Sequence, residues 1–253
     1  MTEPAIILTR DLHVAYGRGR IVALSGITCA LAEGIIGLVG ANGAGKTTLL
    51  RCVAGAIPPT SGSVRIQGTD PARYRQSQAI GFIPAQPRFP AYLTVAQFLS
   101  GLRQVCGNPP VTESERVLSA EFEIDRLGDR HLSALSLGQS RRVEVVASLI
   151  GDPNVIVFDE PTNGLDPIAM TQLRAGILAA KRPGRCLIVS SHHLDELQRL
   201  AERVLFLREG RLVGDYTAAE LSEGGQSLEA RFLSTAGHHP EAKQHSTEDR
   251  ARA

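Results

Sequence analysis

This chain has almost no charge imbalance: 27 Lys and Arg against 26 Asp and Glu leave a formal charge of +1 over 253 residues. That balance gives no general electrostatic case for nucleic acid, although a local basic patch can hide in the sum. Long apolar runs are missing too. Residues 5–8 are too short for a secretory core and meet Arg10 and Asp11 at once. Nothing approaches the roughly 20 apolar residues that cross a bilayer. Cysteine is sparse: Cys29, Cys52, Cys106 and Cys186 are widely scattered and form no metal-type pair. They are expected to be reduced thiols in or near the core. No internal repeat is evident. What is present is 43% hydrophobic composition, enough for one substantial α/β domain, or for one carrying a grafted subdomain.

Apolar periodicity divides the chain. Residues 6–8 and 12–16 read as two short strands, and 22–27 alternates like an edge or half-buried strand. A tighter apolar run at 35–39 leads into a glycine-rich loop, followed by a helix over 46–53. Further short strands are expected at 64–66 and 80–83. Between Thr94 and about Leu127 the spacing becomes helical, interrupted at 107–110. Val117, Leu118, Phe122 and Ile124 supply one apolar stripe there, with the many glutamates mostly solvated. Helices at 138–150, 167–180 and 194–201 alternate with strands at 155–159 and 187–190. Residues 204–207 and 212–214 form a hairpin around Glu209 and Gly210, and Thr217 to Glu220 has the form of a capping box. From about Ser234 large apolar side chains almost vanish, so residues 234–253 are expected to be a mobile polar tail. His238 and His239 within it are read as solvated rather than as metal ligands.

The chemistry concentrates in two places. Residues 40–47 read G-A-N-G-A-G-K-T after an apolar strand. Glycines at 40, 43 and 45 let backbone amides curl around phosphate oxygens, and Lys46 can reach the β- and γ-phosphates. The Thr47 hydroxyl suits magnesium, and the helix beginning at Lys46 points its positive end the same way. Far downstream, Val155 to Phe158 form a buried strand whose end delivers Asp159, suited to magnesium, and Glu160, placed to polarise an attacking water. The bland alternative for Glu160 is a solvated strand-end acid; a phosphate loop upstream favours catalysis.

These residues resemble the nucleotide-binding subunits of ABC transporters over roughly residues 6–217. Residues 40–48 are similar to that family's Walker A loop and 155–160 to its Walker B strand. L-S-L-G-Q at 135–139 resembles the signature, N-G-L-D at 163–166 the D-loop, and S-S-H at 190–192 the switch-histidine segment. The resemblance implies a P-loop NTPase fold of the ABC ATPase type, with an antiparallel β subdomain and a helical subdomain at about 90–148 within a domain spanning 1–233. It implies ATP and Mg2+ as cofactors. Tyr16 would stack on adenine; Asn42, Gly43, Gly45, Lys46, Thr47 and Thr48 would bind the phosphates. Glu160, His192 and Lys46 would be catalytic, and Thr47, Asp159 and Gln86 would face the metal. In a head-to-tail dimer Ser136, Gly138 and Gln139 would touch the ATP of the facing subunit, and Asp166 would link the two sites.

The implied partners are a second copy or a related ATPase subunit, and separate transmembrane permease subunits at the cytoplasmic face of the membrane. No nucleic acid is expected. Two departures stand out. Leu137 occupies a position where glycine is usual, and must point away from ATP. In G-F-I-P-A-Q at 81–86 the spacing puts Ala85 where a glutamine is usual. Either the loop slips by one residue and Gln86 serves, the reading preferred here, or that contact is missing. The closest form of the family is the motor of an ABC-2-type exporter. An importer motor and a soluble ABC protein acting in translation, repair or assembly are the alternatives.

Overall fold

The computed structural model describes residues 4–223 apart from 18, 87–88 and 193. The expectations for the 234–253 tail and for His238 and His239 lie outside the described residues.

One sheet is antiparallel and three-stranded, in the order β2-β1-β4: β1 (Ile7–Tyr16), β2 (Ile21–Leu31) and β4 (Ser61–Ile66). The two short strands expected at 6–8 and 12–16 are a single strand. Its register slips between Thr9 and Leu12, where Asp11 takes φ 43. A bulge of this kind breaks the two-residue periodicity and so looks like a loop in sequence. β2, expected as an edge or half-buried strand, lies at the edge of this sheet, and Val22 is 61% exposed.

The second sheet runs β5-β6-β7-β3-β8-β9: β3 (Gly34–Val39), β5 (Gly81–Ile83), β6 (Val155–Asp159), β7 (Cys186–Ser191), β8 (Arg203–Arg208) and β9 (Arg211–Thr217). The first five strands of that order are parallel, and β9 closes the edge as the antiparallel hairpin partner of β8. Alternate side chains serve two cores, as the period of a strand requires. Ile36, Leu38, Val157, Ile188 and Leu205 face the antiparallel sheet and α1 (Lys46–Val53). Ile35, Val39, Phe158, Val189 and Phe206 face the helical side. A parallel sheet covered on both faces explains the unbroken apolar runs at β3 and β6.

The helical segment contains α3 (Val95–Val105), α4 (Glu113–Glu121) and α5 (Ile124–Leu127), with the expected break between α3 and α4. A helix the sequence reading missed, α2 (Pro71–Ser77), starts at an Asp70 cap with proline at its first position. Downstream come α6 (Leu137–Leu149), α7 (Pro167–Ala179), α8 (Leu194–Gln198) and α9 (Ala218–Glu223). Leu118, Phe122 and Ile124 are buried as expected, but Val117 is 43% exposed. Glu115 is not solvated: it is buried and paired with Arg103. The segment docks closely on the parallel-sheet unit. A Cβ added at Gly176 of α7 would lie 2.4 Å from the Phe122 ring, so only glycine lets that ring seat. Of the cysteines, Cys29, Cys52 and Cys186 are buried as expected, whereas Cys106 is exposed. Among the described residues no helix is long and apolar enough to cross a membrane.

Candidate active site

In the parallel sheet β6, β7 and β3 are consecutive neighbours, so the loops leaving their carboxyl ends converge on one crevice, where open α/β sheets bind ligands. β3 delivers residues 40–45, β6 delivers Asp159 and Glu160, and β7 delivers Ser190 to His192. β5 pairs with β6 as far as Ile83 and brings residues 84–86 to the same edge.

Gly43 and Gly45 adopt φ of 83 and 104, and a Cβ at Gly45 would meet the Ala23 carbonyl at 2.5 Å. The loop is thus a backbone cradle that larger residues would break. α1 follows directly, with no side-chain cap and no acid in its first turn, leaving its amino-terminal dipole uncompensated for an anion. Lys46 is 6% exposed and folds back across the loop. Its Nζ donates to the Gly40 carbonyl at 2.6 Å and lies 3.1 Å from Glu160 Oε1. Asn42 is exposed, and Thr47 and Thr48 are half-buried. The Tyr16 hydroxyl stands 3.3 Å from Thr48 Oγ1, which sets its 39% exposed ring beside the loop. Ile21, paired with Tyr16 across β1 and β2, and Val22 are exposed apolar neighbours that sequence reasoning did not assign to the site.

Glu160 takes φ 47 immediately before a proline, a left-handed conformation that costs on the order of 1–3 kcal/mol and persists only where surrounding contacts enforce it. Here they do. The Glu160 amide donates to Ser190 Oγ at 2.9 Å, and that hydroxyl donates to Asp159 Oδ1 at 2.8 Å. One serine therefore fixes both acids, a role its sequence position did not disclose. His192 Nδ1 lies 2.7 Å from Glu160 Oε2. Burial pushes the Glu160 carboxyl up, but hydrogen bonds from His192 and Lys46 and the Lys46 charge outweigh it and hold it below the usual carboxylate range. An ionised carboxylate only accepts, so Nδ1 carries the shared proton. Glu160 Oε1 is buried and faces the Lys46 ammonium at 3.1 Å. Behind it, Glu196 accepts from Thr162 at 2.6 Å and so pins the loop after Glu160 to α8.

Among the described residues no three His, Cys, Asp or Glu side chains form a metal cluster. Thr47 and the buried Asp159 offer one hydroxyl and one carboxylate. That sparse set fits Mg2+, which keeps water and is held largely by substrate phosphates. Gln86 is exposed.

The signature residues form a separate place. Ser136 caps α6, accepting from Gln139 N at 3.3 Å, while Gln139 Oε1 accepts from Ser136 N at 3.0 Å and from Arg130 at 3.2 Å. The reciprocal box fixes the start of α6 and leaves the Leu137 and Gly138 amides at its positive end. A cleft of about 340 Å3 opens there, lined by Ser136 to Gln139, Gly164 to Asp166 and residues of α6 and α7. No phosphate-loop residue lines it among the described residues. Leu137 leans over Gly164, where an added Cβ would sit 3.1 Å from its Cδ2. Asp166 caps α7 through Ile168 N and Ala169 N, both at 2.9 Å. Tyr16, Lys46, Thr48, Asp159, Glu160 and His192 thus gather at one site, and Ser136, Gly138, Gln139 and Asp166 at another.

Sequence reading also missed Arg141. Its guanidinium, 1% exposed, donates to the Pro84 carbonyl at 2.8 Å, to the Ala85 carbonyl, and to Glu144 Oε2 at 2.7 Å. Burial pushes the Glu144 carboxyl up from 4.5 to about 7 against the pull of Arg141. A folded-state pKa raised above the unfolded one means the native state holds the proton more tightly. The associated stability is present below about pH 4.5 and is lost as pH rises to about 7. Glu144→Gln is expected to remove that slope, on the order of 3 kcal/mol. Urea midpoints of both proteins at pH 5 and pH 7.5 check this; parallel slopes contradict it.

The comparisons with known proteins agree with this arrangement. The family model described as ABC transporter matches residues 24–163. The lantibiotic transport ATP-binding protein SrtF of Streptococcus pyogenes is 32% identical over 225 residues, covering 88% of this chain and 94% of that protein. The lipopolysaccharide export system ATP-binding protein LptB of Escherichia coli is 30% identical over 224 residues, covering 86% and 92%. Among solved structures, an ATP-binding subunit of an ABC transporter superposes with a TM-score of 0.80 at 24% identity, covering 91% of this chain and 99% of that one. At that identity the superposition shows the fold: a P-loop NTPase of the ABC ATPase type with an antiparallel sheet and a helical subdomain.

Proposed function

Because this chain belongs to the ABC transporter family, as an ATP-hydrolysing subunit coupled to transport, we propose that it powers an exporter whose membrane-spanning permease subunits are separate polypeptides. Two copies, or this chain and a related ATPase subunit, close head to tail over two ATP molecules. One observation carries the reading: among the described residues no phosphate-loop residue lines the signature cleft, so each half-site takes its complement from another subunit. Tyr16 holds adenine, residues 40–48 and Lys46 hold the phosphates, and Thr47 and Asp159, with Gln86, hold Mg2+. The bound ion supplies charge neutralisation on the phosphates.

The remaining chemistry belongs to the chain. When a γ-phosphate enters the cradle, Lys46 turns from Glu160 to the phosphate oxygens, and the carboxylate is released to accept a proton from the attacking water. His192 keeps Glu160 oriented. Ser136 and the Gly138 amide, from the facing subunit, add donors and exclude bulk water. Water attacks the γ-phosphorus as the bridging oxygen leaves with ADP; departure of the inorganic phosphate then removes the charge that held the dimer closed, and the dimer reopens. Export is favoured over import by the likeness to LptB, whose name states lipopolysaccharide export. The chain therefore acts at the cytoplasmic face of the membrane.

The test is whether a neighbouring gene encodes a membrane-spanning permease that copurifies with this chain in detergent and stimulates its ATPase. Substrate accumulation inside proteoliposomes that present the ATPase to the lumen contradicts export. Gln86→Ala is expected to slow the stimulated ATPase about tenfold if Gln86 serves the metal and the permease. An unchanged rate means the site works without it.

A further inference from the structure

We propose that Arg141 is a positioning residue that fastens the Gln86 loop to the signature helix, so that a displacement of one is carried to the other. Sheet pairing ends at Ile83, where β5 leaves its last partner on β6. The next two carbonyls, of Pro84 and Ala85, are held instead by the two terminal nitrogens of Arg141. Gln86 follows immediately. On the other side, Arg141 stands two residues beyond Gln139, within the first turns of the helix that Ser136 caps. One side chain thus spans from the backbone just before Gln86 to the backbone just after the signature.

The chemistry of the contact favours a mechanical role. Burying a guanidinium to 1% exposure costs several kcal/mol that a well-packed apolar side chain of similar volume avoids. A lysine cannot reproduce the contact, because only the planar fork donates in parallel to two neighbouring carbonyls. Glu144 balances the charge from the same helix, one turn on, at 2.7 Å. It is joined to the helix rather than to the loop, so it orients Arg141 without adding a second tether. The link is stiff at both ends. The loop end is backbone, not a mobile side chain, and the helix end is enclosed by Val143, Val145 and Val146, all buried.

This inference rests on the reading of Gln86 as the nucleotide- and permease-responsive residue, and it adds how that response reaches the facing ATP. The experiment is a double-mutant cycle on the purified full chain, with Gln86→Ala, Arg141→Lys and both together. ATP turnover, MgATP affinity and melting temperature are measured well below unfolding. Arg141→Lys keeps the charge beside Glu144 and so keeps the fold. Expected is an about tenfold drop in kcat with affinity changed less than about twofold, and a double variant no slower than Gln86→Ala alone. Hydrogen exchange supplies a readout independent of turnover. In the Glu160→Gln background, MgATP is expected to protect both residues 81–86 and the first turns of α6 in the parent. With Arg141→Lys the protection of α6 falls away while that of the phosphate loop stays.

Additive losses in the cycle, or unchanged joint protection, overturn the positioning role. So does a variant that melts lower yet turns over at the parental rate. An unmodified chain that binds no MgATP would instead defeat the functional reading itself, and the two failures are told apart by that control.

Discussion

Glu160→Gln is expected to bind MgATP with near-parental affinity and to hydrolyse it at least about 100-fold more slowly. The amide keeps the size of the side chain and an acceptor for His192 Nδ1, which now stands 2.7 Å from Oε2. It cannot take a proton from water. The parental carboxyl is held below its usual range by His192 and Lys46 despite burial, so it is ionised at neutral pH and competent as a base. The substitution also removes the Lys46–Glu160 ion pair at 3.1 Å, which an arriving phosphate must otherwise break. Affinity is therefore expected to hold or to rise. Equilibrium binding of a fluorescent ATP analogue together with single-turnover phosphate release checks both halves. Parental turnover removes Glu160 from catalysis.

Lys46→Ala is expected to have the opposite signature, with ATP affinity falling about 100-fold or more and turnover lost with it. The ammonium folds over the cradle and bonds the Gly40 carbonyl at 2.6 Å. Without it the amides of the loop and the end of α1 remain, but they carry only partial charge. A second consequence is local: Glu160 loses its cation while remaining buried, so its carboxyl titrates higher than in the parent. The pair contributes stability at neutral pH that is lost as pH falls through the depressed pKa of Glu160, so the parent's advantage over the variant should shrink in acid. Retained affinity contradicts the assignment.

How much of this was legible beforehand follows from the kind of signal each residue gives. β3 and β6 were plain because their apolar runs end at chemistry-bearing residues, and α1 because it starts directly at the glycine-rich loop. The signature cap could be located by its motif, and the hairpin by Glu209 and Gly210, both at positive φ in the structure. β1 was split in two because the bulge at Asp11 reverses the alternation that marks a strand. α2 was missed although Asp70–Pro71 is a helix-start signal, since its seven residues are too few to show a period. The burial of Glu115 was illegible: its partner, Arg103, lies twelve residues earlier on another helix.

Within the site, the residues that touch phosphate were readable because their chemistry demands a local motif. Those that hold others in place were not. Ser190 is ordinary in sequence, and its link between Asp159 and the Glu160 amide exists only because β6 and β7 are neighbours in register. Arg141 is one of two adjacent arginines, and nothing local says that it is this one whose guanidinium is buried against a loop 57 residues away. The departures resolve in part. Leu137 lies against Gly164 of its own chain and lines the signature cleft beside Ser136 and Gly138. Gln86 stands exposed directly after the carbonyls that Arg141 grips.

The central claim is that one subunit's signature closes another's phosphate site, and the most direct measurement is the mass of Glu160→Gln in solution with and without MgATP. Light scattering is expected to show a 27.1 kDa monomer that doubles in mass with MgATP and stays monomeric with ADP. Adding Ser136→Arg, which places a bulky charge where the facing phosphate should sit, is expected to abolish the doubling while the phosphate loop still binds nucleotide. A chain that remains at 27.1 kDa with MgATP bound, while the parent hydrolyses ATP at a rate strictly proportional to its concentration, would contradict the account.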